Sequence, residues 1–226
     1  MQPDTLERLA YIAPVLLFAM VAHEYAHGYA AMRQGDMTAY QLGRLTWNPV
    51  KHIDPIMTIV VPLITFLSSG IAFGGAKPVP VQPRNYRQYK RGDIIVSLAG
   101  VATNLVIAVA SAALIAVIGL VGAAVPAAVP TIAIFQRMLE YSIVINLVLM
   151  AFNLIPLPPL DGSHVFKYLL PPAWALQYQR LGAYGFILLF LLITVGRGLL
   201  TAWMTPAFAV ASTLRGLVAP FIVPGA

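Results

Sequence analysis

Val21-Ala22-His23-Glu24-Tyr25-Ala26-His27-Gly28 sets two histidines and a carboxylate inside a stretch, Leu9 to Met32, that is otherwise apolar enough to cross a bilayer. On a helix, His23 and His27 lie one turn apart on a single face. Both imidazoles can then reach one metal ion, and Glu24 stands beside them where it can take a proton from water at that ion. With four histidines and only Glu7, Glu24 and Glu140 as glutamates in 226 residues, an accidental His-Glu-x-x-His is expected about 0.001 times. A charge at mid-bilayer costs roughly 2.5–3.5 kcal/mol on insertion scales, which marks such a glutamate as functional rather than as polar glue between helices.

Composition supports the membrane reading. The chain is 59% hydrophobic and 10% charged, with a mean hydropathy of +0.80, values proper to a polytopic membrane protein. Asp4, Glu7 and Arg8 do not make the positive start of a signal peptide, so the first helix is expected to be retained. Cysteine is absent, which excludes disulfides, cysteine-ligated zinc and thiol catalysis, and leaves histidine and carboxylate to hold any metal. The net charge of +6 falls in short loops, which suits lipid headgroups and topology rather than nucleic acid.

Five segments are long and apolar enough to span or deeply enter a bilayer, at residues 9–32, 55–73, 94–122, 132–155 and 183–204; a sixth, 206–223, is interrupted by Arg215 and Pro220. Ten of the fourteen basic residues occupy three connections: Arg33, Arg44 and Lys51; Lys77, Arg84, Arg87, Lys90 and Arg91; Lys167 and Arg180. The positive-inside rule puts all three in the cytoplasm. The first two can share a side only if 55–73 enters the membrane, turns at Ser68-Ser69-Gly70 or Gly74-Gly75, and returns through 76–81 as an extended strand. Such a strand would sit beside a cavity and offer an unpaired edge to a partner. The alternative is a plain transmembrane helix followed by a proline-rich loop. The expected fold is an all-α polytopic membrane protein of about five to six transmembrane helices, with a re-entrant hairpin and edge strand near the site. It forms one membrane domain over 1–226, with a catalytic core at about 9–170 and C-terminal helices at about 183–223.

Catalytic zinc usually has three protein ligands and one open position. Asp4 and Glu7 lie at the far end of the first helix, Glu140 is 21 residues from Asp161, and Asp36, Asp54 and Asp93 read as loop residues. Asp161 is the best remaining candidate, with His52 and His164 also open. It closes Asn153-Leu154-Ile155-Pro156-Leu157-Pro158-Pro159-Leu160-Asp161-Gly162, where prolines end a helix and a short extended bridge can aim a carboxylate back at the metal. The competing role for Asp161 is to cap a helix starting at Ser163. Trp47 and Trp174 suit interfacial anchoring, and Arg197 has no evident function.

These residues resemble the site-2 protease family of intramembrane zinc metalloproteases, in its compact form without a PDZ or CBS domain. The likeness covers Ala22 to about Lys167 and rests on HEYAH at 23–27, Gly-Ala-Lys-Pro-Val at 75–79, the Gly100–Asn104 element and NLIPLPPLDG at 153–162. It implies one Zn2+ per chain on His23, His27 and Asp161, with Glu24 activating water and Asn153 helping to hold the substrate carbonyl. Asn104 is a second, weaker candidate for that last task. Where the family has Gly-Pro-x-x-Asn, this chain has Gly100-Val101-Ala102-Thr103-Asn104, so valine replaces the kinking proline. The implied activity is cleavage of a transmembrane protein substrate in or near its membrane segment, with the active site towards the cytoplasmic side. Two competing readings are a zinc-binding membrane protein without hydrolytic activity, whether transporter or inactive scaffold, and a prenyl-protein processing protease, for which a late glutamate ligand is missing.

Overall fold

The computed structural model describes residues 3–61, 64–65 and 74–225, leaving out the side chains of 3–6 and 59. Its helices are α1 (Pro3–Gln34), α2 (Thr38–Gln41), α3 (Tyr89–Ala124), α4 (Val129–Asn153), α5 (Asp161–Phe166), α6 (Pro172–Arg180), α7 (Gly185–Thr194) and α8 (Arg197–Val218). The all-α expectation holds, and no β-strand occurs among the described residues.

Among the described residues four helical stretches are long and apolar enough to cross a membrane, Glu7–Gln34, Tyr89–Ala124, Pro126–Asn153 and Pro172–Thr194; much of the expected segment 55–73 lies outside those residues. The expected segment 183–204 is not one helix. Val195 and Gly196 both donate their N–H to the Leu191 carbonyl, which ends α7, and Arg197 Nε donates to the Ile193 carbonyl before α8 begins. Residues 206–218 continue α8 rather than form an element of their own.

Of the expected hairpin, Pro55–Val60 is a π-helical turn capped by Asp54, whose Oδ1 accepts from the N–H groups of Ile56 and Met57. The turn at 68–70 lies outside the described residues. The return through 76–81 is irregular chain and not an edge strand, and its donors explain why. Gly75, Lys77 and Val79 donate to the Met57 carbonyl, the His52 carbonyl and Glu24 Oε2. Of the positions that alternate with these, Pro78 and Pro80 have no N–H to give, and Ala76 alone keeps one.

Contacts divide the chain into two compact units. One comprises the chain to Ala19, Asn104–Ala151 and Met204 onward. Ile115, Ile143 and Leu147 are fully buried in it, and small residues such as Ala108, Ala112 and Ala211 are also buried. Its helices are joined by side-chain hydrogen bonds: Asn104 Nδ2 to Asn146 Oδ1 at 2.8 Å, Ser111 Oγ to Ser142 Oγ at 2.8 Å, and Gln136 Nε2 to the Ile115 and Phe221 carbonyls. Lipid tails are as apolar as leucine, so close small-residue packing and such bonds do the work that hydrophobic burial does in water.

The other unit, Met20–Thr103 with Phe152–Trp203, begins with the C-terminal part of the motif helix. Gly35 adopts φ +112°, its N–H reaches the Met32 carbonyl and the Asp36 N–H reaches the Ala31 carbonyl, a Schellman turn that closes α1. Asp36 is then fully buried, accepting from Thr38 N–H and hydroxyl through Oδ1, from Asn85 Nδ2 at 2.8 Å, and from Gln82 N–H at 2.6 Å. This carboxylate ties the end of α1 to the chain entering α3, where Ala31 packs on Tyr86 and Val96. A second small core joins Ile155, Leu160 and Leu189, and so seats the proline-rich bridge on α7.

Burial would raise the Asp36 carboxyl, but its hydrogen bonds outweigh burial and hold it below the ordinary carboxylate value. Its stabilisation is therefore present above about pH 4 and is lost as pH falls through the lowered folded value. Thermal unfolding in detergent should lose stability in acid. Asp36→Asn should cost about 1–3 kcal/mol at neutral pH and flatten that acid loss. An acid limb identical in the mutant would assign it to other groups.

Candidate metal centre

α1 presents His23 and His27 one turn apart, and α5 presents Asp161 as its first residue. The two Nε2 atoms are 3.0 Å apart, and Asp161 Oδ2 lies 3.2 Å from that of His23 and 3.3 Å from that of His27. A tetrahedral zinc with bonds of about 2.0–2.1 Å has ligand atoms about 3.3–3.4 Å apart, so this triangle has the right size.

Its donor set also suits a cation. His27 Nδ1–H donates to the Val96 carbonyl at 2.7 Å, which leaves Nε2 as a bare lone pair. Asp161 Oδ2 is buried and accepts no hydrogen bond among the described residues. With the imidazole neutral, as a metal ligand must be, two acceptors face each other across 3.3 Å. A divalent ion among the three atoms satisfies them together. Room for the ion comes from Gly100 on α3: a Cβ there would sit 2.6 Å from the Nε2 atoms of both histidines. α3 runs unbroken through Val101, so the missing proline removes no helical turn.

Glu24 is half-buried and its Oε2 accepts the Val79 N–H at 2.8 Å. Asn153 closes α4 at the head of the bridge to Asp161 and is half-buried. Asn104 is fully buried and directs its amide at Asn146. Neither remaining histidine joins the ligand group. His52 is buried, with its Nε2–H donating to the Thr46 carbonyl at 2.9 Å, a loop contact. His164 Nδ1 faces Asp93 Oδ1 at 3.4 Å. Trp47 stacks on Tyr25 and is more than half exposed, as an interfacial anchor would be.

Three residues around the centre escaped the sequence reading. Asp93, taken for a loop residue, is buried within α3, and Lys167, counted as a free loop charge, is buried against it with Nζ 2.6 Å from Oδ2. Val96 gave no signal at all, since it acts through its carbonyl. The available clue was the spacing Asp93, Val96, Gly100, which places all three on one helix face.

The profile of Peptidase family M50 matches residues 116–193. The Bacillus subtilis protein named "Putative zinc metalloprotease YwhC" is 36% identical over 198 residues, 88% of this chain and 86% of that protein. The chain belongs to peptidase family M50. Proteins named as zinc metalloprotease Rip2 are similar to it as well, from Mycolicibacterium smegmatis at 29% identity over 84% of this chain and 71% of theirs, and from Mycobacterium tuberculosis at 28% over 88% and 74%. No solved structure matches. This family M50 chain is thus an integral membrane zinc metalloprotease, and the group His23, His27 and Asp161 fits its metal.

Gly100→Ala should lower bound zinc in the purified protein from about one ion per chain to a small fraction of that, as measured by elemental analysis, because the added methyl would lie 2.6 Å from the Nε2 atoms of both histidines and force them apart. Full occupancy in that variant would mean that the metal lies elsewhere.

Proposed function

We propose that this metalloprotease is an intramembrane endopeptidase that hydrolyses a peptide bond in or near a transmembrane segment of another membrane protein. The observation that carries the proposal is the position of the ligand group: His23 and His27 lie inside a span, eleven and seven residues before its end at Gln34, or roughly 16 and 10 Å of helix. A soluble substrate has no reason to find its site there.

Bound zinc would lower the pKa of a neighbouring water towards 7 and polarise the scissile carbonyl. Glu24 takes a proton from the attacking water as its oxygen adds to the carbonyl carbon, then passes that proton to the departing amide nitrogen. One water is consumed, and one carboxylic acid and one amine are released. The Val79 N–H bond on Oε2 leaves Oε1 as the free atom for this transfer. The side-chain amide of Asn153, at the head of the bridge, donates to the oxygen that gains charge, whereas the Asn104 amide is taken by Asn146. A helical substrate hides its carbonyls, so cleavage favours segments with helix-breaking residues near the scissile bond.

The basic residues Arg33, Arg44, Lys51, Arg84 and Arg87 put the nearest membrane face in the cytoplasm by the positive-inside rule. The competing reading, a zinc-binding membrane protein without hydrolytic activity, would have no use for Glu24. Glu24→Gln, assayed on a purified transmembrane substrate, should keep its zinc and lose at least about 100-fold in cleavage rate. Undiminished cleavage would overturn the mechanism, and an inactive wild type with full zinc would favour the non-hydrolytic reading.

A further inference from the structure

α5 has only six residues, and its first, Asp161, is the last metal ligand in the chain. A helix so short cannot hold its own direction, and its N-cap Leu160 supplies no side-chain bond. Leu160 in its small core restrains the near end, and a buried ion pair with its neighbours restrains the far end. Asp93 Oδ2 takes Lys167 Nζ at 2.6 Å and the Tyr168 hydroxyl at 2.8 Å, while Oδ1 faces His164. Lys167 lies over the rings of Tyr168 and Tyr89, 5.0 and 6.0 Å from their centres.

The anchor belongs to a pattern on α3. Asp93, Val96 and Gly100 follow one another at i, i+3 and i+7. Val96 fixes the ring of His27, Gly100 clears the space between the imidazoles, and Asp93 holds the helix that carries Asp161. Ligands from two different parts of the chain are thus indexed to one stripe of a third helix. A buried ion pair is a poor stabiliser compared with apolar packing, and its better attested use is to specify geometry.

We propose that Asp93 is a positioning residue for the metal centre: through Lys167 and Tyr168 it sets the orientation of α5, so that the Asp161 carboxylate meets the two imidazoles. The proposal rests on the assignment of Asp161 as a ligand.

The test measures zinc affinity of the full-length protein in detergent by chelator competition, together with the visible absorption of the cobalt-substituted protein. Asp93→Asn should weaken zinc binding about 10–100-fold, the usual effect of removing a group that orients a ligand, and should alter the cobalt spectrum. Tyr168→Phe, which deletes one hydroxyl from the cluster, should weaken binding several-fold, and Asp93→Glu should recover part of the loss. Ser111→Ala is the comparator, since it removes a buried hydrogen bond between two helices that carry no ligand and should leave zinc affinity unchanged. Should Asp93→Asn fail to fold, Tyr168→Phe and the double variant Asp93→Asn with Lys167→Met decide the matter. Wild-type affinity and spectrum in the folded Asp93 or Tyr168 variants overturn the positioning role. Wild-type affinity in Asp161→Ala would instead overturn the ligand assignment, so the two failures are distinguishable.

Discussion

The confrontation of His27 Nε2 with Asp161 Oδ2 across 3.3 Å is the constraint on which the rest depends. Two electron-rich atoms at that separation repel one another unless positive charge lies between them, and the membrane leaves little water to relieve the strain. The structure around them works to keep them there. The Val96 carbonyl prevents the imidazole from turning its proton inward, and the ion pair at Asp93 keeps the short helix from swinging its carboxylate out. Metal binding then returns the electrostatic cost of assembly.

α3 is the reference body for this arrangement. At 36 residues it is much longer than a bilayer requires, about 54 Å against about 30 Å of hydrocarbon. Its early turns, rich in charge and glycine, serve the metal centre, whereas Asn104, Ser111 and the apolar residues beyond them serve helix packing in the other unit. The Schellman turn at Gly35 and the carboxylate of Asp36 couple the end of the motif helix to the entry of α3.

Much of the site was legible because its residue types carry chemistry wherever they stand. His23, Glu24 and His27 announce themselves by spacing, and Asp161 by the prolines before it and the glycine after it. The bilayer-crossing stretches follow from hydropathy. What stayed hidden depends on partners distant in sequence. Asp36 and Asp93 look like loop polar residues until Gln82, 46 positions on, and Tyr168, 75 positions on, are seen to meet them. The break at Val195–Gly196 was equally silent, because an apolar run stays apolar on either side of a helix end. The supposed edge strand failed on hydrogen-bond supply: hydropathy suggests a re-entry, but only the donors show which backbone groups are already spent.

That last feature carries a further consequence for life in a crowded bilayer. An exposed backbone with alternating donors and acceptors is adhesive to any stray chain, including another copy of itself. Pro78 and Pro80 leave Ala76 as the one donor among the alternating positions of 75–80, and Gly75, Lys77 and Val79 have committed theirs to Met57, His52 and Glu24. The irregular stretch beside the catalytic helix can thus stay open in outline without becoming a template for indiscriminate self-assembly.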